Sequence, residues 1–212
     1  EWAKKNKPNI KQPEMIMPIS AHPAFNKACH YFGIKLITAN LDDNYTVDLN
    51  DVKSKINGNT ILLVGSAPNY PYGVIDPIEE LSKLALEMNL LLHVDGCVGG
   101  FVLPFLEKLG KEIPKFCFEL EGVTSLSVDL HKYAYAAKGA SVILYKNKEL
   151  RRHQFFVTTD WPGGLYGSPT ILGTRPGGAI AAAWAILNYL GEEGYLKLIG
   201  SINQTTQEFV KR

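Results

Sequence analysis

The sequence predicts an α/β domain with a mostly parallel sheet. Thr60-Ile61-Leu62-Leu63-Val64-Gly65 and Leu90-Leu91-Leu92-His93-Val94-Asp95 are short, nearly continuous apolar runs, the pattern of strands buried on both faces. These runs alternate with amphipathic segments that carry caps and glycine stops, the order from which parallel sheets are built. Both runs, and a third over 124–128, lead into polar or glycine-rich stretches. In open α/β sheets that is where ligands bind.

Taken in order, a helix is predicted over 20–32, because Pro23 is tolerated in a first turn and Gly33 offers a left-handed stop. A strand follows over 34–39 and a short helix over 48–56, closed by the Asn57-Gly58 turn signal. After the strand over 60–65, two prolines and a glycine make 67–73 a loop. Asp76 then has the position of an N-cap, with Pro77 first in the helix and Glu79 three residues after the cap. Ile78, Leu81, Leu84, Ala85 and Met88 fall on one face of that helix. Strands over 90–95, 124–128 and 140–145 come next. The last connection is too short for a helical crossover, so the final strand should run antiparallel to its predecessor. A short helix over 148–156 and a long glycine- and proline-rich loop over 161–178 precede two helices, over 179–190 and 193–212, separated by Gly191. Loops of that length within a compact domain are usually functional.

With 46% hydrophobic residues in 212, the chain has ample apolar material for one core. A net charge of +1 gives no reason to expect nucleic acid or an anionic membrane as the main partner. Cys29, Cys97 and Cys117 are odd in number and form no CxxC pair, which suits a reducing compartment and argues against a disulfide framework. His93, Asp95 and Cys97 share one face of their strand, yet a fourth ligand at a familiar spacing is lacking, so no metal site is expected. The sequence has no apolar run near the ~20 residues needed to span a bilayer, and its first residues read as an excerpt from a longer protein.

The chemistry converges on three strand ends: Ala67-Pro68-Asn69, Asp95, and the pair His131-Lys132. A carboxylate and an amine brought to one crevice suit a cofactor with a ring nitrogen at one end and an aldehyde at the other. Burial would disfavour the Lys132 ammonium and leave a free amine able to condense with the aldehyde. Asp95 would keep the ring nitrogen protonated, which makes the ring an electron sink. His22 is placed to stack on the ring. The alternative is a lysine that is merely a solvated loop residue in a non-catalytic assembly module.

Four motifs decide between them. His22 in Ser-Ala-His-Pro-Ala-Phe-Asn-Lys-Ala, Asp95 in His-Val-Asp-Gly-Cys-Val-Gly-Gly-Phe, Lys132 in Ser-Val-Asp-Leu-His-Lys-Tyr, and Gly173-Thr174-Arg175-Pro176-Gly177-Gly178 together resemble the sphingosine-1-phosphate lyase branch of the group II pyridoxal-phosphate decarboxylases. The resemblance covers nearly the whole chain. It implies the large domain of the aspartate-aminotransferase type, fold type I, with 1–190 as its central part and 191–212 as a helix leading toward a small domain outside this chain. It implies pyridoxal 5'-phosphate as cofactor, with Lys132 as the Schiff-base lysine, His22 on the ring, Asp95 at the ring nitrogen and His131 near the phosphate. Thr174 matches a position that reaches the cofactor of a neighbouring subunit, so a homodimer is implied. Lys138 matches a second lysine that assists substrate handling or proton transfer; Lys138 and Arg175 are candidates for a substrate phosphate, the alternative being ordinary surface or structural charges.

The implied reaction is retro-aldol cleavage of a phosphorylated sphingoid base to a long-chain aldehyde and phosphoethanolamine. Amino-acid decarboxylation by the same cofactor is the alternative. The implied setting is cytoplasmic, or the cytosolic side of the endoplasmic reticulum where a eukaryotic protein is anchored there. Gly96 departs from the alanine usual in the family, which should remove a methyl beside the ring. The family's glycine-rich phosphate-binding segment and its tyrosine-bearing substrate segment lie outside these residues.

Overall fold

The computed structural model describes residues 1–211. Its chain order begins with α1 (Trp2–Asn6), β1 (Glu14–Pro18), α2 (Ala24–Phe32), β2 (Lys35–Ala39), α3 (Leu49–Lys55), β3 (Thr60–Ser66), α4 (Ile78–Glu87) and β4 (Leu91–Asp95). It continues with α5 (Leu103–Lys108), β5 (Ser125–Val128), β6 (Val142–Tyr145), α6 (Lys148–Arg151), β7 (Phe156–Thr158), β8 (Tyr166–Ser168) and α7 (Gly177–Val210). Six strands form one sheet in the order β2-β1-β3-β4-β5-β6. All neighbours are parallel except β5 and β6, the antiparallel pair that the short connection requires.

The sheet is buried from both sides. Along β1, Ile16 joins a large cluster with Leu63, Ile78, Leu81 and Leu92, whereas Met15 and Met17 join a second cluster with Cys29 and Val64. Successive residues therefore serve opposite faces. The large cluster lies under α3 and α4, and α2 covers part of the other face. Gly33 ends α2 in the left-handed region, φ 63°, as its sequence position implied.

Several elements depart from the expectations. β1 was not foreseen: its five residues follow Pro13 and end on Pro18, and prolines advertise loops. Tertiary burial makes it a strand nonetheless, since every residue in it is buried. α1 and α5 were not foreseen either. The helix expected over 148–156 is one α turn plus a 3-10 turn, Arg152–Gln154, after which Phe156–Thr158 pairs antiparallel with Tyr166–Ser168 inside the expected loop. Gly191, φ 54° and ψ −170°, breaks α7 where a stop was expected, and a second helical stretch follows the kink. The expected end at Arg212 lies outside the described residues.

Asp76 does not cap α4. Its Oδ1 accepts from the Val47 N–H at 2.9 Å and its Oδ2 from the Ser66 N–H at 2.7 Å, which ties the end of β3 to the segment before α3. Ile78, Leu81, Leu84 and Ala85 form the buried face of α4, but Met88 is exposed because the helix has already ended. Gly99 permits the loop after β4 to touch the loop after β3: a Cβ there would lie 2.1 Å from the Ala67 carbonyl oxygen. These two loops border the cavity described below.

Burial pushes the Asp76 carboxyl up to about 6 despite its two N–H donors. A folded-state value above the unfolded 3.8 means that the proton binds the folded form more tightly. The stability contributed is full below the unfolded value and is lost as pH rises through about 6. In urea denaturation, the wild type's advantage over Asp76→Asn should shrink by up to about 3 kcal/mol between about pH 4 and pH 7. An advantage that grows with pH contradicts this.

Candidate active site

The carboxyl ends of β3, β4 and β5 open onto one cavity of about 1260 Å³ on the side of the sheet that carries α2. His22, Asp95, His131 and Lys132 all line it, together with Cys97, Ser127 and Asp129. The convergence follows from register. Parallel pairing sets His93 against Ser125 and Asp95 against Ser127, and one further step along β5 leads to the turn that carries His131 and Lys132.

That turn is firmly held. The His131 N–H and its ring Nδ1–H both donate to the Ala140 carbonyl, at 3.1 and 2.7 Å. Because Nδ1 faces an acceptor, it carries a proton, and Nε2 is left facing Asp129 Oδ2 at 3.7 Å. The buried Tyr195 of α7 donates its hydroxyl to the Ala134 carbonyl at 2.8 Å, while its ring packs on Phe101 and Phe105. The turn is thus clamped from the residues just before β6 and from α7.

Lys132 Nζ lies 2.9 Å from Asp129 Oδ2. Burial acts to lower its pKa, but the hydrogen bond and charge of Asp129 act the other way, with support from Cys97 and Asp95, and the net shift is upward. The expectation that burial would leave a free amine is therefore corrected. In this state an ammonium is held by a carboxylate, and a free amine forms only when Nζ gives up a proton. Asp129 itself is lowered: burial opposes ionisation, but the Ser141 hydroxyl and Lys132 more than offset it. Ser141 donates to the second oxygen, so both Asp129 oxygens are engaged.

Asp95 points one oxygen at protein and one at the cavity. Oδ1 accepts from the Cys97 N–H at 3.0 Å and from the Ser127 hydroxyl at 3.3 Å. Oδ2 has no hydrogen-bond partner among the described residues. His93, buried beneath it, sits between the Ser125 and Ser127 hydroxyls, and burial pushes its pKa down to about 4. Burial, then the nearby Asp95, pushes the Cys97 thiol up to about 12, so it is an inert packing group rather than a nucleophile. His22, at the exposed mouth, accepts the Ala24 N–H on Nδ1 at 3.1 Å, which leaves Nε2 as its proton-bearing nitrogen when neutral.

Other expected residues fall elsewhere. Lys138 is exposed and Thr174 and Arg175 lie on the exposed part of the loop before α7, none of them lining this cavity. Asn69 lines it but is fully buried, with its amide spent on Tyr45 and Tyr72 backbone atoms. A methyl at Gly96 would meet Leu126 Cδ1 at 2.9 Å and the Ser127 carbonyl at 3.1 Å, so the space spared there faces β5 and not the cavity. The expected loss of a methyl beside the ring is thereby overturned. Ser125 and Ser127 were missed, although two-residue spacing with Asp129 already aligned them with the site.

A lysine held by Asp129 and a carboxylate oxygen with no protein partner, at one cavity large enough for a pyridine ring and a substrate, fit pyridoxal phosphate. Comparison with known proteins points the same way. Residues 4–212 match the pyridoxal-dependent decarboxylase conserved domain. The chain is 53% identical over 203 residues to a sphingosine-1-phosphate lyase of Arabidopsis thaliana, covering 96% of this chain and 37% of that protein. It is 41% identical over 207 residues to a probable L-aspartate decarboxylase of Pyrococcus furiosus, covering 98% of this chain and 56% of that protein. A sphingosine-1-phosphate lyase structure from Burkholderia pseudomallei superposes with a TM-score of 0.93 at 51% identity, covering 96% of this chain and 47% of that one. The chain thus spans well under two thirds of the length of each of these relatives.

Removing the partner of Lys132 should free its amine. In cofactor-free protein, Asp129→Asn is expected to raise acetylation of Lys132 by acetic anhydride at neutral pH by a few-fold to about tenfold, with the pH midpoint displaced downward. Peptide mass spectrometry across a pH series measures this. An unchanged midpoint contradicts control by Asp129.

Proposed function

This chain belongs to the pyridoxal-dependent decarboxylase family, and from that premise we propose that it is the central part of the cofactor domain of an enzyme that cleaves phosphorylated sphingoid bases. The observation that carries the reading is the facing of Lys132 and the free oxygen of Asp95 into one cavity. When bound, pyridoxal phosphate supplies an aldehyde that condenses with amines and a protonated ring that accepts the electrons of a breaking carbon–carbon bond.

The protein's part is to hold, orient and move protons. Lys132 would hold the cofactor's aldehyde through its amine once Nζ has given up a proton, with Asp129 positioning Nζ. Asp95 Oδ2 pairs with the ring nitrogen and keeps it cationic. His22 lies at the mouth, where a flat imidazole can cover a ring face, and His131 presents Nε2 as a donor toward the phosphate when protonated. Lys138 follows Lys132 by six residues on the same connection to β6 and serves the substrate, either at its phosphate or in proton transfer. The groups that orient the substrate would decide between carbon–carbon cleavage and loss of carbon dioxide.

Thr174, outside this chain's own cavity, serves the cofactor of a second copy. The exposed Ile171, Leu172, Ile180 and Trp184 nearby are apolar surface suited to burial in such a homodimer. In the same reading, residues 1–190 belong to the large domain and 191–212 lead toward the small domain. Among the described residues no helix is long and apolar enough to cross a membrane.

The lyase reading is favoured over decarboxylation by the identities, 53% against 41%. The full-length protein loaded with pyridoxal phosphate, given a sphingoid-base phosphate in one arm and aspartate or glutamate in another, should release long-chain aldehyde and phosphoethanolamine from the first and no carbon dioxide from the second. Lys132→Ala should abolish the aldehyde. Carbon dioxide without aldehyde would overturn the reading in favour of an amino-acid decarboxylase, and wild type inert in both arms would overturn it altogether.

A further inference from the structure

Along the cavity floor lies a polar cluster that the mechanism above leaves unused. Ser127 Oγ stands 3.3 Å from Asp95 Oδ1, 3.2 Å from His93 Nε2 and 3.4 Å from Cys97 Sγ. A hydroxyl has one proton to give and two lone pairs to receive. Of the three partners, the carboxylate only accepts, so the Ser127 proton goes to Asp95. The other two must then donate. His93 therefore carries its proton on Nε2, and its Nδ1 accepts from the Ser125 hydroxyl at 2.8 Å. The result is a directed chain from Ser125 through His93 and Ser127 to Asp95, built on the facing register of His93 with Ser125 and Asp95 with Ser127.

From this arrangement we infer that His93 is a positioning residue for Asp95: through Ser127 it fixes the carboxylate so that Oδ2 is presented to the cofactor ring nitrogen. The inference rests on the cofactor reading above. Its physical basis is the tautomer. Were the imidazole proton on Nδ1, the bare Nε2 would compete for the Ser127 proton and Asp95 would lose one of its two donors. Burial keeps the ring neutral, so His93 brings a hydrogen and no charge of its own beneath the carboxylate. The Cys97 thiol is too weak a donor to hold Ser127 alone.

The effect should be confined to ligands with a nitrogen in the ring. Full-length wild type, His93→Leu, Ser127→Ala and His93→Gln are titrated with pyridoxal phosphate and with 1-deazapyridoxal phosphate, which has C–H in place of the ring nitrogen, and the dissociation constants are compared. Wild type should prefer the nitrogen-bearing compound. In His93→Leu and Ser127→Ala that preference should fall by about tenfold, as expected for loss of a hydrogen bond to a charged group, with affinity for the deaza compound little changed. His93→Gln, whose amide can donate where Nε2–H did, should restore the preference. Should His93→Leu not fold, Ser127→Ala carries the same expectation.

Equal weakening of both compounds would mark His93 as part of the packing alone and overturn the inference, as would an undiminished preference in both variants. Failure of the cofactor reading looks different: wild type itself would bind neither compound, and both proposals would fall together.

Discussion

The site depends on the pairing of two short parallel strands, β4 and β5. Their register sets Asp95 beside Ser127, and the chain needs only a few more residues to bring Lys132 over the same cavity. Slipping either strand by one residue would turn every side chain on it to the opposite face, placing Leu126 or Val94 where polar groups now stand. What prevents the slip is the apolar packing below. Leu92 and Val94 are fully buried in the large cluster with Leu126 and Val128, and ~1.5–3 kcal/mol per fully buried side chain is lost if they face outward. The chemistry of the upper face is thus indexed by hydrophobic burial on the lower one.

Charge is arranged around that frame with economy. The two aspartates that line the cavity are treated differently. Asp129 is saturated by Ser141 and Lys132 and acts within the protein, whereas Asp95 is satisfied on one oxygen and open on the other. The first fixes the position and charge of the lysine, and the second offers a fixed negative atom to whatever enters. The clamp on the intervening turn, by the Ala140 carbonyl on one side and Tyr195 on the other, matters for the same reason. An ion pair on a mobile loop would be screened and averaged away.

Much of this was legible in the residues. The buried strands announced themselves by unbroken apolar runs, and the antiparallel last strand by a connection too short to cross over. The placing of Asp95, His131 and Lys132 at one crevice followed from the general habit of α/β sheets. What could not be read has physical causes. β1 was disguised by two prolines because its stability comes from neighbours on both sides. The acid at 76 imitates a helix cap in its spacing but spends both oxygens on backbone groups far away in sequence. The state of Lys132 was misjudged because burial and a nearby anion push an amine in opposite directions, and only distance decides between them. The serines at 125 and 127 are ordinary in composition, and acquire meaning only when His93 and Asp95 are set opposite them.

The account stands or falls on which nitrogen carries the cofactor. The full-length protein incubated with pyridoxal phosphate, reduced with borohydride and digested should yield one pyridoxyl-modified peptide, the one containing Lys132, identified by fragment masses. Modification at Lys138 or at a lysine outside the cavity, with Lys132 unmodified, would contradict it.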